Sequence, residues 1–189
     1  MRSIEFESNS RLRAIVSGGD VLGGSFGERP EGAFENSGLE SIVLPRSLEW
    51  IGRRAFSQTK NLIKVDFEPN SELYSIDRGA FVGSSLEWIR FPASLRMIGM
   101  YAFIGTNLKE IHQEKGSNLE MISSLAFRDV ESLSSFIIPI SVTYVSSFAF
   151  YGWGSHQTIY VEGRSELRGV VVVNHNATIV WNWSASTQI

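Results

Sequence analysis

With 189 residues, 43% apolar, 12% aromatic and 20% charged, the chain has the composition of an ordinary globular domain and enough apolar content for a sizeable core. Its net charge is -3 and its basic residues are scattered, which leaves no footprint for nucleic acid and no polybasic segment for a membrane surface. It has no cysteine, which excludes disulfides and thiolate metal sites, and its longest aliphatic run, Val170 to Val173, is far too short to cross a bilayer.

The first ten residues, MRSIEFESNS, lack the apolar run of a secretory signal. A surface or secreted location is therefore expected if the chain is part of a longer protein, and a cytoplasmic one if it is complete. A repeat begins at Ile4 and reaches Leu12 and Ile15. Seventeen residues then separate Ile15 from Ala33, where the later repeats have three. This insertion, residues 16–32, is rich in glycine and reads as a surface loop.

From Ala33-Phe34 onward an Ala-Phe pair recurs at Ala55-Phe56, Ala80-Phe81, Ala102-Phe103, Ala126-Phe127 and Ala149-Phe150, in steps of 22, 25, 22, 24 and 23 residues. Fixed-period self-similarity is the signature of a repeat architecture. The clearest copy runs from Leu86 to Phe103: Leu86-x-x-Ile89-x-Phe91-Pro92, then Leu95-x-x-Ile98-Gly99-x-x-Ala102-Phe103. Two lengths alternate. In the short form Ile42 to Leu48, Ile89 to Leu95 and Phe136 to Val142 each step by six and carry Pro45, Pro92 and Pro139; in the long form Val65 to Leu73 and Ile111 to Leu119 step by eight.

The period-two alternation of Ile89 and Phe91 is that of a strand. These two point inward while Trp88 and Arg90 point out, and Pro92 ends the strand because it cannot donate to a ladder. Leu95-x-x-Ile98 supplies a second extended segment on the opposite wall, Gly99 turns the chain, and Ala102-Phe103 forms about one short helical turn. The fold expected is a solenoid of parallel strands, one or two per repeat, with Phe34, Phe56, Phe81, Phe103, Phe127 and Phe150 stacked in one inward column. Gln113 breaks the pattern, standing where Phe67 and Phe91 are apolar, and predicts a local bulge or a satisfied buried amide. About six to seven repeats fill residues 1–161. A last repeat decays over residues 162–189, where Val170 to Val173 and Thr178 to Trp181 read as two strands of a C-terminal cap around Asn174-His175-Asn176.

The phrase Leu-x-x-Ile-x-x-Pro-x-x-Leu-x-x-Ile-Gly-x-x-Ala-Phe resembles the BspA-like, or Treponema pallidum-type, leucine-rich repeat, from about Ile4 to Val161. The closing segments Gln157 to Val161 and Asn176 to Trp181 are also similar to the ends of such arrays. Family members often carry Cys shortly after Ala-Phe, where this chain has Ser57 to Thr59, Val82 to Ser84 and Ile104 to Thr106. The resemblance implies a leucine-rich-repeat solenoid, a strand-rich right-handed superhelix without a cofactor. It also implies a protein-binding module of the kind that serves as a surface adhesin on bacteria and protozoan parasites.

Outward positions of the first strand form one face, with Lys64, Asp66, Trp88, Arg90, Glu110, His112 and Tyr160 as the candidate protein-binding residues. Trp and Arg are enriched at binding hot spots. The competing reading is plain cross-strand pairing, with Arg90 serving Asp66 or Glu110. On the second wall, Trp50, Met97, Met121 and Tyr144 precede the inward Ile or Val and form a candidate second interface, for self-association of an intracellular scaffold. Gly23-Gly24-Ser25-Phe26-Gly27 matches G-x-S-x-G formally but lacks the strand and helix of a nucleophile elbow. His112, His156 and His175 fall in different repeats, so no metal, catalytic or cofactor-binding residues are assigned.

Overall fold

The central coils of the chain each contribute a four-residue strand, a two-residue strand and a tight turn, and each lies on the one before it. The computed structural model describes residues 3–4, 6, 10–16, 32–163, 167 and 175–184. The first wall contains β1 (Ser3–Ile4), β3 (Ser41–Leu44), β5 (Lys64–Phe67), β7 (Trp88–Phe91) and β9 (Glu110–Gln113), hydrogen-bonded in that order. On the second wall are β2 (Ala14–Ile15), β4 (Trp50–Ile51), β6 (Ser75–Ile76), β8 (Met97–Ile98), β10 (Met121–Ile122) and β12 (Tyr144–Val145), again stacked in chain order. A third sheet continues the first wall with β11 (Ser135–Ile138), β13 (Thr158–Glu162) and β14 (Thr178–Trp183). All the pairings are parallel. The solenoid expected from the repeat is the fold that forms.

The core is the inside of the coil. Ile89, Phe91, Leu95, Ile98, Ala102 and Phe103 are all buried, as are their counterparts in the preceding coil, Val65, Phe67, Leu73, Ile76, Ala80 and Phe81. The phenylalanine column forms as expected: Phe34, Phe56, Phe81, Phe103, Phe127 and Phe150 stack nearly parallel, with successive ring centroids 5.2 to 5.5 Å apart. Trp153 closes its far end, edge-on to Phe150 at 5.0 Å, and its indole N–H donates to the Phe127 carbonyl at 2.9 Å. Beside it the buried Gln157 amide donates to the carbonyls of Val130 and Leu133 and accepts from the Gly154 N–H, so no polar group of that side chain is left unpaired.

Two local expectations are corrected. At Ala-Phe there is no helix among the described residues, but a succession of turns with left-handed residues at Arg54 and Gln58, Gly79 and Gly83, Tyr101 and Gly105, and Leu125 and Asp129. These reversals aim alternate N–H groups along the solenoid axis: Phe56 donates to Ala80, Phe81 to Ala102, Phe103 to Ala126 and Phe127 to Ala149, at 2.7 to 2.9 Å. A helical turn would have spent those donors within its own coil. Gly99 in turn does not have a positive φ. Its need for glycine comes from close approach, since a Cβ there would lie 2.7 Å from the Asp77 carbonyl carbon and 3.0 Å from the Ile76 oxygen.

Gln113 is half-buried at the point where β9 ends its sheet, and its amide donates to the Ile137 carbonyl at 2.9 Å. The side chain thus supplies a hydrogen bond across the step where the backbone ladder stops. Where family members often carry Cys, Thr59 and Thr106 are buried and donate to the carbonyls of Phe56 and Phe103 at 2.7 and 2.8 Å. The insertion, with Ser25, lies outside the described residues over 17–31, as do Val170 to Val173. The described end of the chain is one further parallel strand, β14, laid on β13.

Candidate functional site

Inward packing of Val65, Phe67, Ile89 and Phe91 leaves the alternate residues of β5, β7 and β9 no choice but to face outward. Parallel register then sets Lys64 beside Trp88 and Trp88 beside Glu110, with Arg90 beside His112. Six of the seven expected residues therefore share one sheet face. Tyr160 does not join them: it lies on β13 in the third sheet, paired with Ile137 and Val180 and tilted against Trp183 at 5.4 Å.

The face is held by charge. The Lys64 ammonium sits 4.5 Å from the centre of the Trp88 ring and 3.3 Å from Asp66. Asp66 also takes Arg90 at 3.0 Å, and Arg90 reaches Glu114 at 3.7 Å, while Glu114 accepts the Ala93 N–H at 3.0 Å. Of the two partners expected for Arg90, Asp66 is present, and Glu114 takes the place of Glu110. Trp88 and Arg90 are half-buried, whereas Glu110 and His112 are exposed beside them. The arrangement holds an aromatic ring and a guanidinium in place on the sheet face, with an exposed carboxylate and imidazole beside them.

On the second wall Trp50, Ser75, Met97, Met121 and Tyr144 are register partners in one column. Trp50 is 39% and Tyr144 51% exposed, while Met97 and Met121 are half-buried. Ser75 is only 3% exposed and donates to Asp77 at 2.6 Å, so it parts Trp50 from the other three. The two methionines and Tyr144 form a continuous apolar strip of three coils.

The sequence reading missed the third edge, where the turns stack. Arg53 and Arg78 occupy the same slot in successive repeats, directly after Gly52 and Asp77, and with Arg54 they line a cleft of about 400 Å³. The repeated slot was the signal that could have found them. Behind this cleft Glu35 is ion-paired with Arg54. Burial pushes the Glu35 carboxyl up, but Arg54 and the Gly32 N–H outweigh it and hold the group below its ordinary value. His112, His156 and His175 stay apart, and among the described residues no group of three or more His, Cys, Asp or Glu could hold a metal ion. No helix among them is long and apolar enough to cross a membrane.

A parallel-stranded solenoid with charged and aromatic side chains ordered along its outer faces is a repeat scaffold, an architecture that ordinarily presents binding surfaces without catalysis. The BspA type leucine rich repeat region family matches residues 28–164 in 6 copies, and the chain belongs to that family. Among solved structures, that of the pneumococcal vaccine antigen PcpA is similar at 28% identity with a TM-score of 0.66, covering 86% of this chain and 43% of the other. This chain therefore spans less than half the length of the PcpA chain. A comparison with curated proteins gives no match.

Proposed function

We propose that the chain is a non-catalytic protein-binding module of adhesin type, which meets its partner on the face formed by β5, β7 and β9. The observation that carries this reading is the fixed pair of Trp88 and Arg90, flanked by exposed Glu110 and His112. Trp and Arg are the residue types that most often anchor interfaces, and their ordering beforehand lowers the entropy lost on docking. Similarity to a pneumococcal antigen supports a surface role. The test is an affinity pull-down from host matrix and cell lysate with three forms that circular dichroism shows to be folded: the parent chain, Trp88→Ala with Arg90→Ala, and Trp50→Ala with Met97→Ala. A partner lost from the first double variant alone supports this face; one retained by it refutes the reading.

A second reading, self-association through the other wall, is favoured by the exposed Tyr144 next to Met121 and Met97. Its mark is a mass that rises with concentration in the parent chain and does not rise in Met97→Ala with Tyr144→Ala.

A further inference from the structure

The cleft on the turn edge has the features of a small-ligand site. Arg53, Arg54 and Arg78 line it together with Gln58, Tyr101 and Ile104, and no carboxylate is among the lining residues. Glu35 neutralises Arg54 from behind, while Arg53 and Arg78 have no ion-pair partner among the described residues. Among the described residues two of the three positive charges are therefore uncompensated, on a chain whose net charge is -3. Two of the three guanidiniums are also held in place. Arg54 is clamped by Glu35, and Arg78 lies over the Tyr101 ring at 5.5 Å. Planar forks fixed in advance suit carboxylate and sulfate oxygens, which they meet through two parallel hydrogen bonds.

Size and extent narrow the ligand. A volume of about 400 Å³ falls at the small end of the range for small-molecule sites and matches one or two sugar rings. The slot that carries Arg53 and Arg78 carries Met100 and Ser124 in the next two coils, so the positive strip ends after about 5 Å of solenoid axis. In that direction an extended polyanion would find no continuation among the described residues. Gln58 adds an amide that can both donate to and accept from hydroxyl groups, and Ile104 adds an apolar wall. We infer that this cleft binds an acidic saccharide, one or two rings carrying a carboxylate or a sulfate. The site is separate from the sheet face and does not depend on the protein-binding proposal.

Calorimetric titration of the whole chain with four probes tests the inference: a sulfated uronic-acid disaccharide, N-acetylneuraminic acid, lactose as a neutral control and hexaglutamate as an acidic peptide. The expected result is binding of at least one acidic sugar, weakened by added salt, with none for lactose. Arg53→Gln and Arg78→Gln are each expected to weaken it about tenfold, with folding retained because both side chains are exposed. Arg128→Gln, further along the same edge, should leave it unchanged. Absence of binding by both acidic sugars, equal binding by the Arg53→Gln, Arg78→Gln double variant, or equal binding of hexaglutamate would each overturn the assignment.

Discussion

Replacing Phe103 by alanine removes the middle ring of the column. That ring is fully buried and has three aromatic neighbours, Phe81 and Phe127 at 5.3 Å and Phe91 at 5.7 Å. Large-to-small changes of this kind cost about 3–5 kcal/mol, the lost transfer energy plus the cavity left behind. Phe34 offers the internal comparison. It is half-buried at the start of the column and has one ring neighbour, Phe56 at 5.2 Å, so its removal should cost about 1–2 kcal/mol. Urea unfolding followed by far-ultraviolet circular dichroism measures both. Because contacts in a solenoid are made between adjacent coils, Phe103→Ala should also speed amide exchange first in the coils of Phe81 and Phe127. Equal losses for the two variants would refute the reasoning, since they would mean that the column does not carry the stability assigned to its interior.

The two glycines near this column should behave differently. Gly105→Ala meets open space and bears only the left-handed φ of 63°, for about 1 kcal/mol, whereas Gly99→Ala runs into the backbone of the preceding coil and should cost about 2–3 kcal/mol in the same unfolding assay. Gln113→Ala strands the Ile137 carbonyl at the step between β9 and β11 and is expected to cost about 1–2 kcal/mol, with faster amide exchange along β11. Glu35 has its folded carboxyl held below the ordinary value of 4.5, so its contribution to stability is complete above that pH and is lost as pH falls through the lowered value. Glu35→Gln should therefore be less stable than the parent chain at pH 7, and the difference should shrink as the pH is taken below 4; a difference that stays constant down to pH 2 would contradict the pairing with Arg54.

Much of the fold was legible because burial in a solenoid is written as a repeated pattern. Ile89 and Phe91 alternate as a strand does, the Ala-Phe pairs recur at a fixed period, and stacking follows from the inability of one coil to bury its own apolar set. Most of the candidate face was legible for the same reason: once Ile89 points in, Trp88 and Arg90 must point out. Gln113 was recognisable as an exception, though not that its amide would reach across a broken ladder to Ile137.

The sequence by itself determined the period, the inward columns and the outward faces, since these depend only on which side of the backbone each residue occupies. Tertiary structure alone decided the sign of φ at Arg54, Tyr101 and Leu125, because a donor turned along the axis is rewarded only when the next coil is there to accept it. It alone decided that Arg90 serves Asp66 and Glu114, and that Tyr160 belongs to another sheet. Those contacts join residues a full coil or more apart, and their distances are set by register and side-chain reach, which the hydrophobic pattern does not encode. The three arginines of the turn edge are the clearest case: Arg78 comes 25 positions after Arg53 in the chain, and coil stacking brings them into one cleft.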